Sequence, residues 1–184
     1  MYLYAIKEAS KYLETNLNRL LEAGEENQLA NDQFVHFLQQ MDPHLVDQKV
    51  QHLNTEIAPK IDCTACGNCC KTLLININEK EADALSEHLE QTREIFDKNY
   101  LEKGMNGALL ISAVPCHFLQ ENKCTVYDFR FEGCKEFPAM HLPHFNKRLF
   151  TTFMHYNRCP IIFNIVEQLK IETKFVLETK NEPL

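Results

Sequence analysis

Cys63-Thr64-Ala65-Cys66-Gly67-Asn68-Cys69-Cys70 holds four of the chain's eight cysteines within eight residues. A two-residue gap between cysteines folds into a tight knuckle that gathers consecutive sulfurs at one point and turns backbone N–H groups toward them. Gly67 suits the sharp turn after the second cysteine, where a positive φ costs a glycine nothing. The stretch therefore predicts a metal-binding knuckle, and the rest of the chain reads as its support.

Downstream lie Cys116, Cys124, Cys134 and Cys159, each beside turn or loop residues. Eight sulfurs are enough for two four-thiolate sites, or for one complete site with spares. The side chains of Cys69 and Cys70 splay apart in an extended backbone, which favours two sites or a bridged one. A closed four-thiolate zinc site would staple loops that lack a core of their own. An iron–sulfur cluster takes the same four thiolates, and the repeated two-residue gap with a Cys-Pro elsewhere is the bacterial ferredoxin-like spacing. On that partition Cys63, Cys66, Cys69 and Cys159, which precedes Pro160, make one centre, and Cys70, Cys116, Cys124 and Cys134 remain for a second. His117, His141, His144 and His155 stand near the cysteine segments and read as structural or surface residues; His117, next to Cys116, is the best placed to replace a thiolate.

At 184 residues and 45% hydrophobic content the chain can bury a real core. No apolar run approaches the roughly 18 residues a membrane span needs, and the first residues lack a secretory pattern. The expectation is a soluble cytoplasmic protein without a membrane partner, in which clustered cysteines bind metal instead of pairing in disulfides. A net charge of −7 disfavours nucleic acid as a partner.

Helical spacing of Ile6, Ala9, Leu13, Leu17 and Leu20 predicts an amphipathic helix from Tyr2 to about Ala23, ending near Gly24. A second helix is expected over Asp32 to Met41. A third starts at Asp42-Pro43 as cap and first turn and closes at Pro59. After the knuckle come a strand over Thr72 to Ile77, a helix capped by Asn78 and Glu81, a helix from Thr92 to about Lys103, and a strand from Ala108 to Val114. A small hairpin follows around Glu121-Asn122-Lys123, then an extended loop over 137–145. A further strand is expected over Arg148 to Tyr156, and a helix over Ile161 to Ile171 led by Pro160. The fold class is helix-rich α+β: N-terminal helices packed on a loop-rich cysteine-cluster region with a few short strands. The domain reading is 1–60 as a helical layer, 61–175 as the cysteine-cluster domain and 176–184 as a tail. The N-terminal helices are the surface through which a protein partner would bind, giving a module scaffolded by metal; the oligomeric state is left open.

The knuckle, Pro115-Cys116-His117-Phe118-Leu119, Cys124-Thr125-Val126-Tyr127-Asp128-Phe129-Arg130, Cys134-Lys135-Glu136-Phe137-Pro138 and Cys159-Pro160 follow one another in an order that resembles the bacterial CxxCxxCC cysteine-cluster family (the YkgJ type). The resemblance covers roughly Cys63 to Ile171. It implies a zinc- or iron-chelating domain, with Cys63, Cys66, Cys69, Cys70, Cys116, Cys124, Cys134 and Cys159 as the ligands. The chain departs from the family pattern at Phe131, where proline is usual, and at Lys135, where arginine is usual. Arg130 is then the residue expected to offset thiolate charge, with Tyr127 as packing. Flagellin lysine N-methylases carry a similar cluster, so an iron–sulfur redox or protein-modifying enzyme is the rival function. Against methyl transfer, the chain has five glycines and no Gly-rich loop after a strand.

Overall fold

Asn16 opens the first helix of the described residues by accepting the backbone N–H groups of Asn18 and Arg19. In the computed structural model, which describes residues 13–178, α1 spans Leu17–Glu26 and α2 spans Gln28–Gln40. Helix α3 spans Pro43–Ile57, with Asp42 as its side-chain cap and Pro43 in the first turn, as the sequence indicates. The expected helix from Tyr2 lies outside the described residues up to residue 12. The rest is corrected: residues 13–16 are not helical, because Asn16 diverts the backbone into a cap and Glu14 is held in a paired amide contact with Asn164. Nor does Gly24 end the helix. It lets Asn157 approach, since a Cβ there would lie 2.6 Å from the Asn157 Cβ.

The described residues divide into two compact units, one of residues 13–61 with 138–178 and one of residues 62–137. Residues 138–175, assigned from sequence to the cysteine-cluster domain, cluster here with the N-terminal helices. In this first unit α10, Pro160–Glu172, packs along α3, and Phe34, Val46, Val50, Ile162, Ile165 and Leu169 are buried in the unit. Asp47 holds the turn at His144 and Phe145 by accepting both backbone N–H groups, at 2.7 and 2.8 Å. Arg148 ties down the Pro-bearing loop by donating to the carbonyls of Ala139 and Leu142, each at 2.6 Å. The strand expected over Arg148 to Tyr156 is instead a helix, α9, Leu149–Met154. Burial of Leu149 and Thr152, three residues apart, asks for helical spacing and overrides the β preference of the Thr and Phe residues.

In the second unit the knuckle folds as two short helices, α4 (Cys63–Cys66) and α5 (Asn68–Thr72). Then come β1 (Asn76–Ile77), α6 (Glu79–His88), α7 (Arg93–Tyr100), β2 (Leu101–Lys103) and β3 (Leu109–Ile111). β4 (Leu119–Gln120) and β5 (Lys123–Cys124) form a separate hairpin, and α8 is Glu132–Glu136. The expected capping box at Asn78 and Glu81 is present. The helix expected to reach Lys103 stops at Tyr100, because Leu101, Glu102 and Lys103 pair antiparallel with Ile111, Leu110 and Leu109. β3 is the middle strand, with β1 on its other side. The core under this sheet is Ile77, Ala82, Leu85, Phe96, Leu109, Ile111, Phe118, Val126 and Phe131. The result is a helix-rich α+β chain whose strands are short and antiparallel. Among the described residues no helix is long and apolar enough to cross a membrane.

Candidate metal centre

Asp62 organises the knuckle. Its carboxylate accepts from the Thr64 and Ala65 backbone N–H groups and from the Thr64 hydroxyl, the last at 2.6 Å, which starts α4 at Cys63. These bonds hold the Asp62 carboxyl below its usual range, the Thr64 hydroxyl contributing most. A carboxylate whose folded pKa is depressed stabilises above its ordinary pKa, and that contribution is lost as pH falls through the folded value. The amides of Thr64 and Ala65 should therefore exchange hydrogen faster only once pH falls below the ordinary carboxylate range, after correction for intrinsic rates; Asp62→Ala should show the faster exchange already at neutral pH.

Gly67 adopts φ +59° and ends α4. Its backbone lies against the β4–β5 turn so closely that a Cβ would meet the Asn122 carbonyl oxygen at 3.0 Å and its Cα at 3.1 Å. That contact, with the packing of α4 on β5, brings the Cys63–Cys66 segment to the hairpin that ends in Cys124. Gly67→Ala pays both a left-handed backbone penalty and a collision with main chain. A loss of about 1–3 kcal/mol is expected in chemical denaturation of the protein.

Seven of the eight cysteines belong to this unit; Cys159 belongs to the other, where it is buried and its carbonyl accepts from Phe163 N–H at the start of α10. None of the eight is in a disulfide. The Cys116 N–H donates to the Cys70 carbonyl at 2.8 Å, so the knuckle's last cysteine is stitched to the segment after the sheet. The Phe118 N–H faces the Cys116 sulfur and the Val126 N–H faces the Cys124 sulfur, each two residues beyond its cysteine. Sequence spacing suggested N–H groups aimed at sulfur within Cys63 to Cys70, and there the Cys70 N–H serves its own sulfur; the N–H groups of Phe118 and Val126 serve two further cysteines, which no two-residue gap between cysteines advertises. Cys116, Cys124 and Cys134 pack half-buried against the unit's core, while Cys63 is exposed.

The charges of these sulfurs are coupled. A hydrogen bond from the Cys69 side chain, against the cost of burial and with help from Arg130, draws the Cys70 thiol down to about 6. Burial, and then the charges of Cys70, Cys116 and Cys124, push Cys134 up to about 12. Cys116 and Cys124 are also raised, by burial first and by Cys70 among their neighbours. Cys63, though exposed as a residue, is raised by partial loss of water around its sulfur and then by Cys66 and Asp62. Cys70 is the sulfur that ionises most easily, and its charge adds to burial in raising Cys116, Cys124 and Cys134.

Among the described residues no group of three or more His, Cys, Asp or Glu side chains stands together in a geometry that could hold a metal ion. What the fold supplies is gathered backbone and oriented N–H donors, not a preformed coordination shell. The donor set still fits a thiophilic ion: neighbouring free thiols, N–H groups aimed at two of them, and a guanidinium at hand. His117, the histidine placed nearest the cysteines in sequence, is hydrogen-bonded from its ring to the Ser112 hydroxyl at 2.9 Å and meets Tyr100 edge-on. His141, His144 and His155 lie in the other unit.

The family model for CxxCxxCC, described as "Putative zinc- or iron-chelating domain", matches residues 62–160, more than half of the chain. The chain belongs to the CxxCxxCC family. No curated protein and no solved structure matches it. The CxxCxxCC match begins at Asp62, the residue that caps the knuckle, and runs through Cys159 to Pro160. Asp62 and the N–H donors of Phe118 and Val126 are the site features that sequence reading missed. For Asp62 a signal existed, an acidic residue directly before a short cysteine-bearing helix.

Proposed function

We propose that this CxxCxxCC domain holds a zinc or iron ion through thiolates, with Cys70, Cys116, Cys124 and Cys134 as the inner set. The observation that carries the reading is the pair of backbone N–H groups, from Phe118 and Val126, aimed at the sulfurs of Cys116 and Cys124. Such donors stabilise thiolate and leave its remaining lone pairs for a metal. The hydrogen bond from Cys116 N–H to Cys70 and the common packing of Cys116, Cys124 and Cys134 on one core support the same grouping. Cys63 and Cys66, on a short helix with Cys63 exposed, with Cys69 and Cys159, are the remaining ligands to be assigned.

The ion's role on this reading is to hold together a loop-rich unit, and its thiolates would supply either a closed zinc site or the ligands of an iron–sulfur cluster. Anaerobic purification followed by elemental analysis and a visible spectrum tests it. A colourless zinc-loaded protein supports a structural site, and a brown iron- and sulfide-containing one supports the redox reading; a protein with neither zinc nor iron overturns both. Serine at Cys116 or Cys124 is expected to weaken metal binding on the order of 100-fold in chelator competition, whereas serine at Cys63 costs less.

A further inference from the structure

We infer that two buried polar side chains, Asn164 and Lys170, act as pegs that set the rotation of α10 and with it the place of Cys159, the N-cap residue of that helix. Apolar burial alone does not choose the rotation. Pro160, Ile161, Ile162, Ile165, Val166 and Leu169 are all buried, and at about 100° per residue they spread over roughly two-thirds of the helix circumference. A helix facing one core needs an apolar stripe little more than about 100° wide, so α10 could turn in its seat and still bury apolar surface. Polar groups discriminate between such seats, because a turned helix leaves them buried without partners.

Both pegs are bonded, and on different sides of the helix. Asn164, 9% exposed, grips the chain ahead of α1: its Oδ1 accepts the Glu14 N–H at 2.9 Å, and its Nδ2 donates to the Glu14 carbonyl at 2.8 Å and to the Pro160 carbonyl at 2.7 Å. Lys170, 3% exposed, stands about 120° away around the axis. Its Nζ donates to Asn31 Oδ1 on α2 and to Glu167 Oε1, both at 2.7 Å. The Tyr156 hydroxyl donates to the same Glu167 oxygen at 2.7 Å and accepts from Asn27 Nδ2 at 3.0 Å. The Asn31 N–H returns to the Asn27 carbonyl at 2.8 Å, which closes a ring of hydrogen bonds between the first turn of α2, Tyr156 and α10. Stability does not account for the ring. Burial draws the Lys170 amine below its ordinary range against the raising pull of Glu167; the unfolded chain keeps the proton more readily, so holding the charge in the fold costs stability at neutral pH. What the ring supplies is a choice of register, the best-attested use of a buried polar group. That Cys159 then serves a metal rests on the thiolate reading above; its placement does not.

Asn164→Leu and Lys170→Met, made singly and together in the full-length protein as purified, test the pegs. In the double variant the urea midpoint should equal or exceed that of the wild type. Yet the amides of Cys159, Phe163 and Asn31, each hydrogen-bonded in this register, should exchange about tenfold faster or more, and the two-dimensional NMR signals of α10 should double or broaden. Wild-type exchange with one sharp set of signals would show that apolar packing sets the rotation, and overturns the assignment. So does a lowered midpoint with exchange faster by one common factor across the helical unit, the pattern expected of the control Leu169→Ala, because it marks side chains that only stabilise. Should the double variant not fold, Lys170→Met alone decides by the same readings at Asn31, and its own failure to fold overturns the assignment too. None of these readings needs zinc or iron, so a protein found without either metal would sink the thiolate centre and leave the pegs standing.

Discussion

Stripping the metal from the purified protein with a strong chelator is expected to abolish protection from hydrogen exchange across residues 62–137 while leaving the helices of the other unit protected. The reason is the poverty of that unit's regular structure. Its sheet has strands of two and three residues, its hairpin pairs only Leu119 with Cys124 and Gln120 with Lys123, and the knuckle helices hold four and five residues. A two-stranded hairpin is marginal on its own, and small loop-rich units usually need a staple. Structural zinc supplies apparent binding free energies of roughly 10–16 kcal/mol in small metal-folded domains. The other unit has helices of 13 to 15 residues that bury many apolar side chains, and so has less need of a staple. Exchange measured by mass spectrometry before and after chelation checks this. Equal protection of residues 62–137 in both states would show that the nine-residue core is sufficient and that the metal is not structural.

That contrast also explains what could be read in advance. Where a local signal and burial agreed, the chain announced itself: Asp42 with Pro43, Asn78 with Glu81, Pro160 before an apolar run, and Gly67 at a positive φ all stand where the sequence puts them. The errors fall where a distant partner decides. Leu101–Lys103 continue a helical pattern but are claimed by β3. Leu149–Met154 carry strand-forming side chains but bury one helical face. At the candidate centre, the presence of cysteines was legible and their company was not. The Cys116 N–H bond to Cys70 joins positions 46 residues apart, and no spacing within either motif encodes it.

Phe131→Ala is expected to destabilise the protein by about 3–5 kcal/mol, the usual cost of emptying a buried phenylalanine site. Phe131 is 4% exposed and lies in the core with Ile77, Phe96, Phe118 and Val126. The family pattern places proline here, and the backbone still has proline's shape. Phe131 has φ −59° and ψ 152°, and Arg130 before it has φ −55° and ψ 140°, the extended geometry a following proline requires. Phe131→Pro should therefore fit the main chain yet lose ring burial, so its cost should approach that of the alanine variant and not exceed it. The position thus separates two contributions: a turn that either residue can make, and a core that only the ring fills in this chain. Unfolding midpoints in denaturant for both variants decide the matter. A proline variant as stable as wild type would mean the ring's burial contributes little, and a proline variant far worse than alanine would mean that the backbone, not the ring, is what position 131 protects.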